Sequence, residues 1–154
     1  MLELINMTVS EFEMFIATSI PGYAAANVRT GRWTESEALD NSRREFDTLL
    51  PQGFNSKDHF FYTLYKEKEA IGMAWLKATR SDALKKGFIY KIFIEENHRG
   101  QGHGKSLMRL LEEKAREMGL NTLALHVFGS NKIAINLYNS IGYEITNINM
   151  SKAL

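Results

Sequence analysis

Three glycines alternate along a stretch of the chain that could hold a bulky anion. Gly100, Gly102 and Gly104 lie within Arg99-Gly-Gln-Gly-His-Gly. A glycine has no Cβ, so its backbone can approach an anion closely. The residues before this stretch have the pattern of a strand and those after it the pattern of a helix. Free N–H groups at a helix start, together with the helix dipole, favour phosphate. The spacing therefore predicts a phosphate-binding loop.

The start of the helix supports this prediction because it lacks a negative charge of its own. Helices commonly begin with a side chain that caps the first N–H groups. This helix begins Gly104-Lys105-Ser106 and has no carboxylate before Glu112. An external anion could supply the missing charge. From spacing alone, a glycine-rich turn without a ligand remains the alternative.

Two nucleotide-binding motifs do not fit the same residues. A P-loop requires a glycine five residues before the Gly-Lys-Ser triplet, and Arg99 occupies that position. A dinucleotide fingerprint requires a third glycine three residues after its Gly-x-Gly pair, where Lys105 and Leu107 stand. An enzyme that binds ATP through Gly104, Lys105 and Ser106 is therefore disfavoured.

Composition narrows the class of protein further. The 154 residues are 44% hydrophobic and 24% charged, with a net charge of +1, which predicts one domain over residues 1–154 and no nucleic-acid partner. No apolar run approaches the length of about 20 residues that spans a membrane, and no signal peptide is apparent, so we expect a cytoplasmic location. The chain has no cysteine, and its four histidines lack helical metal-site spacing, so we expect no metal and no thiol nucleophile.

The elements that must position the glycine loop follow from local patterns. Thr8 with Glu11, and Thr34 with Glu37, form capping boxes that begin two helices, the first interrupted by Pro21-Gly22. The later elements are strands at 59–65, 70–77 and 87–94, a helix at 104–118, a strand at 123–127, a helix at 131–141 and a last strand or strand pair at 143–150. This order predicts an α+β fold around a central, mixed and mostly antiparallel sheet.

Two segments resemble the GNAT superfamily of acetyl-CoA-dependent N-acetyltransferases, in its bacterial form. Arg99, Gly102 and Gly104 match the family's motif A, Arg/Gln-x-x-Gly-x-Gly/Ala, which follows the fourth strand. Residues 131–138, Asn-Lys-Ile-Ala-Ile-Asn-Leu-Tyr, followed by Gly142-Tyr143, match Asn-x-x-Ala-x-x-Leu-Tyr-x-x-x-Gly-Phe/Tyr. The detailed match covers residues 87–145, and the element order extends it over the chain. The motifs are specific for the superfamily but give almost no information about the acetyl acceptor.

The resemblance implies a GNAT-like sheet with helices on both faces, in which strands four and five splay apart. The pantetheine arm of acetyl-CoA, the co-substrate, then enters the gap, and the glycine loop holds the pyrophosphate. The residues expected at the coenzyme are Ile92, Ile94, Arg99, Gly100, Gln101, Gly102, Gly104, Lys105 and Asn131.

The chemistry that the resemblance implies is direct attack of a primary amine on the thioester in a ternary complex. Tyr138 occupies the family's position for the acid that protonates the leaving thiolate. Its alternative role is that of a core residue on the apolar face of its helix. A non-catalytic acyl-CoA or CoA-binding sensor, or an interaction module, is the competing function, and it would not need Tyr138.

The sequence indicates the base that deprotonates the amine less clearly than it indicates the acid. Many relatives have a glutamate within the fourth strand, and this chain has none there. His126 is the substitute, because it alternates with Leu125 and Val127 and because histidines titrate near neutral pH. A core histidine satisfied by hydrogen bonds is the alternative.

The acceptor site is expected between the first helices and the splayed strands. Tyr23, Trp33 and Tyr90 are candidates to bind the acceptor, which could be a small-molecule amine or a protein amine. Members of the family often dimerise, so a homodimer is a further expectation.

Overall fold

The computed structural model describes all residues, 1–154, and has the predicted order of helices, strand meander and strand–helix units. Its elements are β1 (Leu2–Asn6), α1 (Val9–Arg29), α2 (Glu35–Leu49), β2 (His59–Lys66), β3 (Glu69–Arg80), β4 (Lys85–Ile94), α3 (His103–Glu117), β5 (Thr122–Leu125) and α4 (Lys132–Ser140). No helix in the structure combines the length and the apolar character needed to cross a bilayer.

The five strands form one sheet in the order β1-β2-β3-β4-β5. The first four are antiparallel neighbours, and β5 lies parallel to β4. This arrangement confirms the predicted mixed, mostly antiparallel sheet. The two tight connections from β2 to β3 and from β3 to β4 explain the antiparallel part, whereas α3 makes the crossover that a parallel pair requires.

Helices cover both faces of the sheet, as expected. On one face, Phe12 and Phe15 of α1 pack with Phe61 and Trp75 of the strands. On the other face α3 buries its apolar stripe against the sheet, with Leu107, Met108, Leu111 and Ala115 all nearly inaccessible to solvent. The alternation of apolar residues along β2 and β3 therefore serves two separate cores.

The first helix corrects one prediction, because Pro21 lies inside α1 and does not interrupt it. A proline lacks the N–H that would bond to the carbonyl four residues earlier, here that of Ala17. Beside the proline, the Ser42 hydroxyl of α2 donates to the carbonyl oxygen of Ile20 at 2.7 Å and so holds this part of α1 against α2. The two capping boxes are as predicted: Glu11 accepts from the N–H of Thr8, and Glu37 from that of Thr34.

The predicted last strand, residues 143–150, is absent. Gly142 leaves α4 with a φ of 98°, and the N–H of Tyr143 bonds back to the carbonyl of Tyr138. The residues that follow are exposed and have no regular structure. Two asparagines, Asn147 and Asn149, lie within this segment, and asparagine is among the residues depleted in strands.

The feature that matters most for the site is the divergence of β4 from β5. The two strands pair over four residues only, and the pairing ends at Ile89 and Leu125. Beyond that point β4 continues to Ile94 with β3 as its only strand neighbour. A bulge coincides with the divergence, because Trp75 faces Lys91 and Leu76 faces Ile89, which leaves Tyr90 as the extra residue.

Gly72 holds β3 against the free half of β4, and we predict that Gly72→Ala destabilises the fold. A Cβ there would lie 2.5 Å from the backbone oxygen of Phe93, which cannot move without shifting β4. The expected loss is about 1–3 kcal/mol in the free energy of unfolding, measured by urea denaturation.

Gly22→Ala is the matched control, because Gly22 lies inside α1 and a methyl group added to it would have nothing within 4 Å. It should raise stability by about 0.5–1 kcal/mol, since alanine is the better helix residue. Equal stability of the two variants would contradict the close approach at Gly72.

Candidate active site

The glycine loop joins β4 to α3 in a conformation that requires glycine at two positions. Gly100 has a φ of 71° and Gly102, the N-cap of α3, a φ of 81°. Nothing lies within 4 Å of a Cβ at either residue, so conformation and not crowding explains them. Gly104 is different, because its Cβ would lie 3.3 Å from Cδ2 of Leu137. This third glycine lets α3 and α4 approach each other.

Side chains of the loop fix it to the end of β4. The Nε of Arg99 donates to the carbonyl oxygen of Ile94 at 2.8 Å, and the guanidinium lies 5.3 Å from the ring centroid of Phe93. The amide of Gln101 donates to the carbonyl oxygen of Asn97 at 3.2 Å. Arg99 and the Ile94 carbonyl, both expected at the coenzyme, are thus already engaged with each other.

The N-terminus of α3 is free of any internal cap. Gly102 offers no side chain, and the first turn contains no acidic residue. The N–H groups of His103, Gly104 and Lys105 donate neither to a capping side chain nor to a loop carbonyl, and the first bond of this turn runs from Ser106 to Gly102. The loop therefore presents several free donors and the positive end of a helix dipole to one point, which suits a phosphate group.

A small cavity of about 200 Å³ occupies the gap that opens between β4 and β5. Four residues predicted for the coenzyme or the chemistry line it together: Ile92, His126, Asn131 and Tyr138. Asn131 also caps α4, since its Oδ1 accepts from the N–H of Ala134 at 3.2 Å.

Tyr138 contributes its side chain to this cavity from α4. The residue is half-buried, and burial raises the pKa of its phenol above the ordinary value. The hydroxyl is consequently protonated at neutral pH and is able to donate a hydrogen bond or a proton.

His126 reaches the same cavity, but not for the reason that the sequence indicated. The strand β5 ends at Leu125, so strand alternation does not set the direction of His126. The residue is exposed, and its ring centroid lies 5.1 Å from that of Phe128. It is not a residue of the packed core.

A second and larger cavity, of about 710 Å³, opens between the helices α1 and α2 and the strands β3 and β4. Five aromatic rings line it: those of Phe15, Tyr23, Phe46, Trp75 and Tyr90. Of the predicted acceptor residues, Tyr23 and Tyr90 belong to this lining.

One ring of this lining is held by a hydrogen bond. The Nε1 of Trp75 donates to Nδ1 of His59 at 2.9 Å. Burial and the charge of Lys77 lower the pKa of His59, which keeps that imidazole neutral and able to accept. Trp75 also stacks on Tyr90, with 4.7 Å between ring centroids. The cavity wall is thus preorganised.

Trp33, the third residue expected at the acceptor, does not line the cavity. Its ring packs edge-on against Tyr23 at 5.6 Å between centroids, and the guanidinium of Arg32 lies 4.7 Å from the centroid of the Trp33 ring. Trp33 therefore packs against Tyr23, a residue of the cavity lining, without lining the cavity itself.

The charged groups of the large cavity differ in whether they have a partner of opposite charge. Glu45 accepts from Arg32 at 2.7 Å and from the Tyr23 hydroxyl at 2.8 Å. Lys91 is half-buried, and its Nζ donates to the Ser19 hydroxyl at 3.2 Å without a carboxylate within 4 Å. Burial lowers the pKa of the Lys91 ammonium.

Sequence reasoning missed Lys91, although one signal was present. It is the only charged residue between Gly87 and Ile94, in a segment otherwise apolar or aromatic. A single lysine in such a strand must find either a polar environment or an anion, because an unpaired charge is costly to bury.

The two cavities meet at the bulge of β4. Tyr90 and Lys91 line both of them, and no other residue does. A ligand in the gap between β4 and β5 would thus lie next to a second ligand bound in the larger cavity. Such an arrangement suits a transfer reaction between two substrates that enter from different sides.

Comparisons with known proteins agree with this geometry. The model of the Acetyltransferase (GNAT) family matches residues 25–143. The chain is 39% identical over 150 residues to a Bacillus subtilis (strain 168) protein named as an uncharacterized N-acetyltransferase, YdgE, covering 97% of this chain and 96% of that protein. It is 34% identical over 152 residues to a second such protein of that strain, YycN, covering 98% and 97%. The crystal structure of YycN superposes with a TM-score of 0.93 over 100% of this chain and 99% of that one, at 33% identity. The family match, the two relatives and the diverging strands lead to one conclusion: the chain is an acyltransferase that belongs to the Acetyltransferase (GNAT) family.

Proposed function

We propose that this chain, acting over residues 1–154 as one N-acetyltransferase domain, moves an acetyl group from acetyl-CoA to a primary amine. The amine nitrogen attacks the thioester carbonyl directly, within a ternary complex. A C–N bond forms, the C–S bond breaks, and the thiolate of coenzyme A leaves and takes up a proton. The amine loses one proton in the same reaction.

The observation that carries the proposal is the meeting of two cavities at Tyr90 and Lys91. The narrow gap between β4 and β5 suits an extended thioester arm, because the backbone of β4 beyond Ile89 has no strand partner on that side. The wide aromatic cavity suits the acceptor. Direct transfer requires the two reacting atoms to be held next to each other, and two adjoining cavities support that requirement.

The glycine loop and the free start of α3 suit the pyrophosphate of the coenzyme. The amides of residues 101–105 would hold the phosphate oxygens, and Lys105 would add a positive charge. Asn131 and the backbone of Ile92 would contact the arm, since both residues line the gap.

A screen of amines with acetyl-CoA tests the proposal as a whole. Release of free thiol would be followed with a thiol reagent, and the products would be identified by mass spectrometry. The proposal requires amine-dependent thiol release and an acetylated product. Coenzyme binding without transfer to any amine would instead support the sensor or interaction module.

We predict that Gly102→Val weakens acetyl-CoA binding by about 10- to 100-fold, the range that corresponds to one lost charge-assisted hydrogen bond. Gly102 is the N-cap of α3, and a side chain there would enter open space at the end of the helix that carries the free N–H groups. Isothermal titration calorimetry measures the change in affinity.

Gly119→Val is the control for backbone strain. Gly119 lies just beyond the other end of α3 with a φ of 79° and equally open surroundings. The two variants should lose similar stability, but only Gly102→Val should lose affinity. Equal affinity in both would remove the phosphate loop from the proposal.

We predict that Tyr138→Phe lowers kcat by about 10²- to 10⁴-fold, the usual contribution of general acid catalysis, and leaves acetyl-CoA affinity unchanged. In the proposed mechanism this phenol protonates the departing thiolate, and burial raises its pKa, which keeps the proton available at neutral pH. Pre-steady-state kinetics would establish whether chemistry limits turnover.

Tyr143→Phe provides the matched control for Tyr138. The two rings lie 6.0 Å apart, but Tyr143 does not line the gap. This variant should keep the wild-type kcat. Full turnover by Tyr138→Phe under rate-limiting chemistry would make Tyr138 a packing residue.

For deprotonation of the amine we propose His126, and we predict that His126→Gln lowers kcat/KM by about 10²- to 10⁴-fold, the usual contribution of general base catalysis, while acetyl-CoA affinity stays unchanged. His98→Gln, beside the glycine loop, is the control and should keep the wild-type rate. An unaltered rate in His126→Gln would point to a water chain that ends on Tyr90.

A further inference from the structure

The acceptor cavity has an excess of positive charge that the chain itself does not neutralise. Glu45 is the only acidic residue of its lining, and two donors, Arg32 and Tyr23, already occupy its carboxylate. Lys91 has a serine hydroxyl and the face of Phe15 for partners, and Arg44 forms no ion pair within 4 Å. A polycationic acceptor would find no free carboxylate here.

The position of Lys91 restricts where an anion of the acceptor could lie. Lys91 lines the gap between β4 and β5 as well as the acceptor cavity. Its Nζ lies on the acceptor side, 3.2 Å from the Ser19 hydroxyl of α1, so an anion paired with it lies within one lysine side chain of the gap. If one carbon separates the carboxylate from the reacting amine, the carboxylate can pair with Lys91 while the amine reaches the thioester. A carboxylate at the far end of a long chain cannot do so.

Most of the remaining lining is apolar or aromatic, with Ser19 and Thr48 as the polar exceptions. Phe15, Phe46 and Trp75 line this cavity and not the gap between β4 and β5, and Trp75 is fixed by its bond to His59. These walls suit a side chain that removes apolar area from water on binding. The volume of about 710 Å³ accommodates an aromatic or a long aliphatic group.

From these contacts we infer that the acetyl acceptor is a free α-amino acid with an apolar or aromatic side chain, whose carboxylate pairs with Lys91. The inference rests on the proposed acetyltransferase function and specifies its acceptor. Lys91 acts here as a residue of acceptor recognition. The carboxylate supplies the counter-ion that this half-buried ammonium lacks within the chain.

Matched acceptors test the inference in the wild-type protein. Phenylalanine would be compared with 2-phenylethylamine and with phenylalaninamide, which retain the ring but lack the carboxylate. An alkylamine has a pKa of about 10.4 and a peptide-like α-amine one of about 7.7–8.0, so these two compounds bracket the basicity of phenylalanine. We expect kcat/KM to favour phenylalanine over both by about 10- to 100-fold, as expected for a charge-assisted bond.

Substitution of Lys91 then assigns the preference to this residue. Lys91→Met should remove most of the preference by lowering kcat/KM for phenylalanine alone, mainly through KM. Lys91→Arg should retain part of it. Lys85→Met is the control, because Lys85 is an exposed lysine of the same strand, and it should leave the preference intact. Affinity for acetyl-CoA should be the same in all variants.

The outcomes separate the two proposals. If no amine or amino acid accepts the acetyl group, the proposed function fails. If amines are acetylated without preference for the carboxylate, the function stands and the inference is overturned. A Lys91→Met variant that loses activity equally on phenylalanine and 2-phenylethylamine also overturns it, because Lys91 would then serve the reaction itself. Should that variant not fold, the wild-type preference and Lys91→Arg decide.

Discussion

The site depends on the termination of one ladder of backbone hydrogen bonds. The strands β4 and β5 pair over four residues and then separate, while β4 remains bonded to β3 as far as Ile94. Backbone N–H and C=O groups away from water need partners, so a strand with one open side inside a fold requires something to fill that side. In this fold a cavity lies there, lined by Asn131, the N-cap of α4, and by Tyr138 of α4.

The open half of β4 keeps its shape because other contacts hold it. Gly72 allows β3 to approach Phe93 and Ile94 closely, and Arg99 binds the carbonyl of Ile94 at the end of the strand. The bulge at Tyr90 turns the strand at the point where pairing with β5 stops. It also brings Tyr90 and Lys91 into both cavities, so one irregularity separates the strands and joins the two binding spaces.

The part of the fold that the sequence predicted well is the part governed by short-range chemistry. The capping boxes at Thr8 and Thr34 and the glycine loop each depend on residues within a few positions of one another. Two predictions failed because tertiary contacts, or their absence, decided them. Pro21 remains inside α1, which is held against α2 beside the proline by the bond from Ser42 to the carbonyl of Ile20. Residues 143–150 do not join the five-stranded sheet.

The same distinction divides the candidate site. The anion-binding loop is formed by consecutive residues, so the spacing of its glycines along the sequence was enough to predict it. The acceptor cavity is made by side chains from four elements, with Phe15, Phe46, Trp75 and Lys91 each about 15 to 30 positions from the next. No local spacing links such residues. The sequence shows Lys91 as a charge in an apolar strand. Its role in binding could be inferred only from the fold, which shows the face of the sheet on which Lys91 lies and the absence of a carboxylate that pairs with it. Because that missing partner is a property of the assembled cavity, the charge of the acceptor can be argued only from the fold.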